Sequence, residues 1–331
     1  MILAIESSCD ETAAALVGRD GALLANVVAS QAELHARFGG VVPEVASRRH
    51  LELCIPVVER ALEDAGAALD DVDAIAVTEG PGLIGALLVG LASAKALAFA
   101  RRLPLIPVDH LHGHVASLYL GPDPIDPPFL LLLASGGHTL LAKVDHREPG
   151  MALIGQTLDD AAGEAFDKGA RLLGLGYPGG AALERLARDG DDRAHDFAVA
   201  MAGKDGFDFS FSGLKTALRN AVMASGGSDR ERANLAASYQ RAIVRSLVSR
   251  TMSAVSSTGR DTLAVVGGVA ANGVLRAALE DSCRDAGVRL ALAPIALCSD
   301  NAAMIASAAR YCEAVPFPDY LARDAYATAG A

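Results

Sequence analysis

The sequence predicts a mixed α/β protein built twice over, and three observations carry that expectation. The first is an internal repeat. "ILAIESSCDETAAALV" and, 127 positions on, "FLLLLASGGHTLLAKV" each run apolar, pass through a small polar turn and run apolar again, with Ser8 on Ser135, Thr12 on Thr139 and Val17 on Val144. The second is that each copy leads into a turn ("GRDG", "REPG") and a third apolar run. The third comes later in each half, where a strand, a glycine turn and a helix succeed one another in "AIAVTEGPGLIGALLVGLASAKAL" and "LAVVGGVAANGVLRAALEDSC". Strands joined by tight turns and then a strand–glycine–helix unit make one α/β domain. Two copies predict facing domains with a central cleft lined by the glycine turns.

The 331 residues suffice for two domains of roughly 100–200 residues. The first is expected over 1–125 and the second over 126–301, with a C-terminal helix over ~302–331 crossing back onto the first. Pro-rich "GPDPIDPPF" (121–129) reads as the linker. "MAGKDGFDFSFSG" (201–213) reads as an ordered surface loop ending in Ser212 as a helix N-cap.

Composition narrows the function. Hydrophobic residues make up 51%, enough to fill two cores, while aromatics are 5% and Trp is absent, which disfavours a binder that works by stacking. The net charge of −11 means that any nucleic acid must be met by a local patch or with a partner's help, since phosphate neutralisation supplies most of such affinity. The five cysteines (Cys9, Cys54, Cys283, Cys298, Cys312) form no CxxC pair, so neither a zinc ribbon nor a disulfide framework is expected and a reduced, cytoplasmic setting fits. The N-terminus has no signal-peptide pattern. The apolar stretch 83–94 is interrupted by glycines and closed by Lys95, too short to span a bilayer.

"PVDHLHGHVAS" holds three histidines in five positions. His110 and His114 are four apart, about 40° of helical rotation, and project from one face, whereas His112 points roughly 200° away. Two readings of the pair stand: half of a transition-metal site, or a polar helix that carries two imidazoles. A metallopeptidase would need Glu after the first histidine, and Leu111 stands there. A third ligand is wanted from a carboxylate, and Asp300 in "CSDNAAMIA" qualifies; Ser299 or Asp300 could equally cap the next helix. A His/His/Asp set with open positions suits Fe(II) or Zn(II). "ASGGHT", "GPGLIG" and "GGVAAN" are glycine turns that let backbone N–H groups approach phosphate. No GxxxxGK[ST] sequence occurs, so a Walker loop is not the means. In "TLDDAAGEAFDKGARLL", Asp159, Asp160, Glu164, Asp167 and Lys168 read as a solvated face or, because Asp160, Glu164 and Asp167 follow a helical 4–3 spacing, as a clustered acidic face that needs hydroxyls, amines or metal. Asp10 and Glu11 place two carboxylates on the first repeat's turn.

Together "IESSCDETAAALV", "GGVVPEVASRRH", "TEGPGLIGALLVG", "HLHGH", "ASGGHT", "DDAAGEAFDKGARLLGLGYPGG", "DFSFSGLKTAL", "GGVAANGVLR" and "CSDNAAMIA" resemble the tRNA N6-adenosine threonylcarbamoyltransferase family, TsaD in bacteria, over residues 2 to about 320. Some members once carried the label glycoprotease, which the missing base disfavours. The resemblance implies the duplicated actin-like, sugar-kinase-like (ASKHA) ATPase fold. It implies transfer of the threonylcarbamoyl group from L-threonylcarbamoyladenylate to the exocyclic amine of the adenosine 3′ of the anticodon, in tRNAs reading codons that begin with A, with release of AMP. Matched residue by residue, it implies one divalent metal ion per chain, Fe(II) before Zn(II), on His110, His114 and Asp300. The adenylate falls to Leu133, Ala134, Ser135, Gly136, Gly137, Asp167, Gly180 and Asn272. Glu184 stands where relatives often have a ribose-binding aspartate. Asp10 or Glu11 is the candidate to orient or deprotonate the attacking amine. The expected partners are tRNA, a TsaB-like paralogue and a TsaE-like P-loop ATPase, with no membrane. Rival readings are a small-molecule carbamoyltransferase or kinase of the same superfamily, which the histidine pair disfavours because magnesium prefers oxygen ligands, and a non-catalytic ATPase scaffold.

Overall fold

The computed structural model describes residues 1–120, 123–201 and 205–328. The start of the expected linker (121–122), the tip of the 201–213 loop and the last three residues lie outside them. The chain divides into two compact units: Met1–Asp126, His146–Gly150 and Ser299–Ala331 form unit 1, and Pro127–Asp145 with Met151–Cys298 form unit 2.

Unit 1 opens with β1 (Ile2–Glu6), β2 (Glu11–Val17) and β3 (Leu23–Ser30), an antiparallel meander. The short α1 (Ala32–Ala36) leads to α2 (Pro43–Asp64), whose Pro43 sits in the first turn, where its missing N–H costs nothing. Helix α2 buries Ala46, His50, Cys54, Val57, Val58 and Ala61, a stripe at helical spacing. Next come β4 (Ala74–Gly80), α3 (Ile84–Arg101), β5 (Leu105–Asp109) and α4 (His110–Ala116). The sheet order is β3-β2-β1-β4-β5, with β4 parallel to both β1 and β5. Leu3, Ile5, Ile75, Val77 and Leu105 have no solvent exposure, as expected for strands covered on both faces. The apolar stretch 83–94 extends to an 18-residue helix, α3, longer than its apolar run suggests and long and apolar enough to cross a bilayer. Here Ala86, Leu87, Gly90, Leu91, Ala94 and Ala98 are buried within unit 1.

Unit 2 repeats the plan. β6 (Phe129–Ala134), β7 (Thr139–Val144) and β8 (Ala152–Gln156) form the meander, followed by α5 (Ala162–Leu172), α6 (Gly179–Ala187), α7 (Ser212–Ala224) and the 30-residue α8 (Asp229–Thr258). Then β9 (Thr262–Val266), α9 (Gly273–Ala286) and β10 (Arg289–Leu292) complete a sheet ordered β10-β9-β6-β7-β8, the same succession as in unit 1. Last, α10 (Ala302–Ala309) belongs to unit 1. The C-terminal helix expected over ~302–331 stops at Ala309, because the chain then turns at Arg310 and carries Pro316 and Pro318.

Candidate metal centre and substrate loops

Strand β5 delivers Asp109 to the N-terminus of α4. Its Oδ1 accepts the backbone N–H groups of Leu111 (2.8 Å) and His112 (3.0 Å), satisfying donors that a helix start leaves bare. The first turn thus carries His110, and His114 lies one turn on and edge to face with it, ring centroids 4.7 Å apart and planes at 77°. Helix α4 lies close against α10: a Cβ on Gly113 would sit 2.7 Å from Ile305 Cδ1, and Ser307 Oγ donates to the Ala116 carbonyl (2.9 Å). At the start of α10 the cap is Asn301, whose Oδ1 accepts from Met304 N (3.0 Å), and neither Ser299 nor Asp300. The Asp300 carboxylate faces the histidines, its Oδ1 lying 3.3 Å from His114 Nε2 and 3.6 Å from His110 Nε2. One donor atom from each of the three residues falls within 4.8 Å of the others.

Behind His110 lies Glu6, fully buried at the end of β1. Its Oε2 is 3.3 Å from His110 Nδ1 and accepts from Thr78 Oγ1 (2.5 Å), while Oε1 accepts from Ser8 N (2.5 Å). Ser8 Oγ is 3.2 Å from the same Nδ1. Burial alone would lower the His110 pKa, but the charges of Asp300 and Glu6 outweigh it and raise it to about 9. Burial likewise pushes the Glu6 carboxyl up, and His110 draws it below the usual range. Both ring nitrogens of His114 are buried without a hydrogen bond among the described residues, a costly arrangement for a ring with one lone pair and one N–H unless something further, such as a cation at the lone pair, engages it. Two imidazoles and one carboxylate, with a carboxylate holding the far nitrogen of one ring, fit a divalent transition metal. His112 turns away, donating from Nε2 to the Arg147 carbonyl (2.9 Å).

Asp10 and Glu11 sit where β1 turns into β2. Glu11 Oε1 accepts from Ser30 Oγ (2.9 Å), while Oε2 is buried without a hydrogen bond among the described residues. Burial first, then the charges of Asp10 and Asp300, raise the Glu11 pKa to about 7 against the opposing Ser30 bond.

In unit 2, Leu133 and Ala134 end β6 and the turn continues through Ser135, Gly136 and Gly137, with Ser135 N donating to the His138 carbonyl (2.8 Å). A Cβ on Gly136 or Gly137 would meet nothing within 4 Å, so the backbone there is open to a ligand. Asp167 Oδ1 accepts from Gly179 N (2.9 Å), tying α5 to the start of α6 beside Gly180. Glu184 on α6 accepts from Gly273 N (3.1 Å). Asn272 caps α9 through Leu275 N (2.9 Å) and donates from Nδ2 to Gln240 Oε1 (3.0 Å). Glu184, Gln240, Arg188, Asp191, Arg241 and Gly273 line a cavity of about 500 Å³.

Two polar expectations change. Helix α5 begins at Ala162, so Asp160 is not on it; Lys168 Nζ draws Asp160 (2.7 Å) and Glu164 (2.9 Å) together as ion pairs. Ser212 is the first residue of α7 and does not cap it. The cap is Asp159, which accepts from Phe211 N (2.7 Å), Ser212 N (3.2 Å), Ser210 Oγ (2.6 Å) and Ser212 Oγ (2.7 Å).

Comparison with known proteins places this geometry. Residues 22–307 match the family described as "TsaD: tRNA N6-adenosine threonylcarbamoyltransferase". The tRNA N6-adenosine threonylcarbamoyltransferase of Symbiobacterium thermophilum is 53% identical over 314 residues, 94% of this chain and 91% of its own length. The chain belongs to the TsaD family. A TsaD-family relative from Clostridium botulinum strain 657, of the same name, is 50% identical over 94% of this chain and 92% of its own. Among solved structures, HypF of T. kodakarensis superposes with TM-score 0.63 at 14% identity (93% of this chain, 47% of that one). The activator of 2-hydroxyisocaproyl-CoA dehydratase from Clostridium difficile, solved with bound ADPNP, gives 0.55 at 15% (93% and 92%). At such identities these neighbours establish the fold alone: this TsaD-family chain has the duplicated ASKHA architecture.

Two residues carry no signal in the sequence. Glu6 looks like an ordinary strand end, and nothing in "ILAIE" shows that a histidine 104 positions away will meet it. Gln240 is one polar residue inside a 30-residue helix, without a motif around it.

Proposed function

We infer that this chain transfers the threonylcarbamoyl group of L-threonylcarbamoyladenylate to N6 of the adenosine 3′ of the anticodon in tRNAs reading ANN codons, releasing AMP. The observation that carries the reading is the buried His110–His114–Asp300 cluster, with the hydrogen-bond-free nitrogens of His114, in a chain of the TsaD family. In the reaction the N6 nitrogen forms a bond to the carbamoyl carbon, the bond from that carbon to the phosphate oxygen breaks, and one N6 proton is lost. An adenine amine is a poor nucleophile, so the carbonyl needs polarising. A divalent cation, Fe(II) before Zn(II), held by His110, His114 and Asp300 supplies that polarisation when bound.

The other roles belong to side chains and backbone. Glu6 keeps a proton on His110 Nδ1, leaving Nε2 as the ligand atom. Glu11, poised at about 7, takes the proton that N6 gives up, with Asp10 beside it. In unit 2 the open backbone of Gly136 and Gly137 suits the phosphate. Leu133, Ala134, Ser135, Asp167, Gly180 and Asn272 frame the nucleotide, and Glu184 at the cavity wall faces the ribose. The target adenine is unstacked from the anticodon loop, as unpaired RNA bases commonly are when proteins read them.

The negative net charge argues for help in binding tRNA. Leu51 and Ile55 on α2 and Ile84 and Leu88 on α3 are large aliphatic side chains 44–68% exposed, in two i,i+4 pairs that suit a helical partner. We assign this face to a TsaB-like paralogue, with a TsaE-like P-loop ATPase completing the system in the cytoplasm.

The deciding experiment is mass spectrometry of nucleosides from bulk tRNA after depletion of the protein, with rescue by wild type and by His110→Ala. Loss of N6-threonylcarbamoyladenosine restored by the wild type alone supports both activity and metal site. An unchanged level in cells with no second such enzyme would move the small-molecule rival forward.

A further inference from the structure

We propose that residues 320–327 form a strap that positions the histidine helix, with Tyr326 as the contact through which it acts; the proposal rests on the reading of His110, His114 and Asp300 as a metal site. A chain of anchors within unit 1 builds the strap. Val315 pairs with Leu105 on β5 through two backbone hydrogen bonds (3.0 and 2.8 Å), and Phe317 packs on Phe99 of α3 with centroids 5.2 Å apart. Tyr320 is fully buried in the core. Lys95 Nζ then donates to the carbonyls of Leu321 (3.2 Å) and Arg323. Arg323 forks onto Glu79 at the end of β4, Nε to Oε1 (2.8 Å) and NH2 to Oε2 (2.6 Å), the bidentate geometry that holds a guanidinium in one orientation. Tyr326 N donates to the Glu79 carbonyl (3.1 Å), and Gly82 N donates to the Ala327 carbonyl (3.2 Å). The fit is close, since a Cβ on Gly80 would overlap the Tyr326 carbonyl and ring.

These anchors bring the Tyr326 hydroxyl to Asp109 Oδ2 (2.8 Å). Asp109 is the cap of α4, and its other oxygen already holds the first-turn N–H groups of Leu111 and His112. The two carboxylate oxygens therefore split the work: one starts the helix, the other is pinned from outside by the strap. A carboxylate fixed at both oxygens cannot rotate, so the direction of the first turn, and with it His110 Nε2, is set by a residue 216 positions later in the chain. Asp109 would cap the helix without Tyr326, which makes Tyr326 a positioning residue and separates its effect from that of the cap.

The test uses the full-length metal-free protein titrated with Co(II), whose visible absorption reports the geometry of its ligands. Wild type is expected to take one equivalent, lost in His114→Ala. Tyr326→Phe is expected to bind Co(II) about tenfold more weakly, at the low end of what outer partners of metal ligands contribute. Its metal-free unfolding midpoint should stay within about 4 °C of wild type. Arg323→Met, which loosens the strap without touching α4, should weaken Co(II) binding in the same direction. Wild-type Co(II) affinity and spectrum in Tyr326→Phe would overturn the strap while leaving the metal site standing. So would weakened binding that merely parallels a large fall in the unfolding midpoint. A wild-type protein that binds no Co(II) would remove the metal site and the strap's role together.

Discussion

Glu11 shows how a single residue's environment can fit it for proton transfer. One of its oxygens is held by Ser30 and the other is buried without a hydrogen bond among the described residues, so the fold favours the protonated acid. With the folded pKa near 7 against the usual 4.5, the native state binds more protons than the unfolded chain across that interval. Glu11's contribution to stability is therefore complete below about pH 4.5 and is lost as pH rises through 7. Glu11→Gln should flatten that part of the stability–pH curve in urea unfolding. In activity, the rising limb of kcat/KM near pH 7 should vanish in Glu11→Gln, together with most of the rate, roughly 10²-fold or more for a lost general base. A variant that keeps the limb and the rate would pass the proton role to another group. At this scale the sequence was partly legible. The i,i+4 spacing of His110 and His114 is a local property of one helix and could be read directly. The role of Asp300 depended on which of three adjacent polar residues capped α10, and that choice of Asn301 is made by backbone geometry at the helix entry.

Among the elements, the packing of α4 on α10 decides whether the ligands meet. Gly113 lies on the face of α4 turned to Ile305, and its missing side chain lets the two helices approach. Gly113→Val is expected to gain only a few tenths of a kcal/mol in helix propensity and to lose about 1–3 kcal/mol by overpacking. The second effect wins. Unfolding should show the loss, and metal affinity should fall with it because His110 and His114 move away from Asp300. The loops taught the opposite lesson about local signals. "SFSG" looks like a serine-capped helix, yet Asp159, more than fifty positions earlier, supplies the cap through four hydrogen bonds. A carboxylate brought in by tertiary structure outcompetes the local hydroxyl because it accepts charge-assisted bonds at both oxygens. The same holds for the acidic run before α5, where Lys168 binds Asp160 and Glu164 and leaves a structural ion-pair cluster in place of an acidic face.

For the molecule as a whole, the exposed aliphatic face of α2 and α3 carries a prediction about assembly. Leu51→Asp combined with Leu88→Asp should abolish co-purification with a TsaB-like paralogue while leaving Co(II) binding at His110, His114 and Asp300 unchanged, since both positions are exposed. Retained association would move the partner to another surface. The repeat, and the three-strand opening and strand–glycine–helix unit of each half, were determined by the sequence itself, because apolar periodicity and turn residues act over a few positions and each half carries the pattern independently. So were the two histidines and the residue types around them. Tertiary structure alone decided the rest: that Glu6 meets His110, that Gln240 meets Asn272, that Asn301 caps so that Asp300 turns to the histidines, and that the chain's last turns reach back to Asp109. Such contacts join residues up to hundreds of positions apart. They depend on how whole elements pack, which no local spacing encodes.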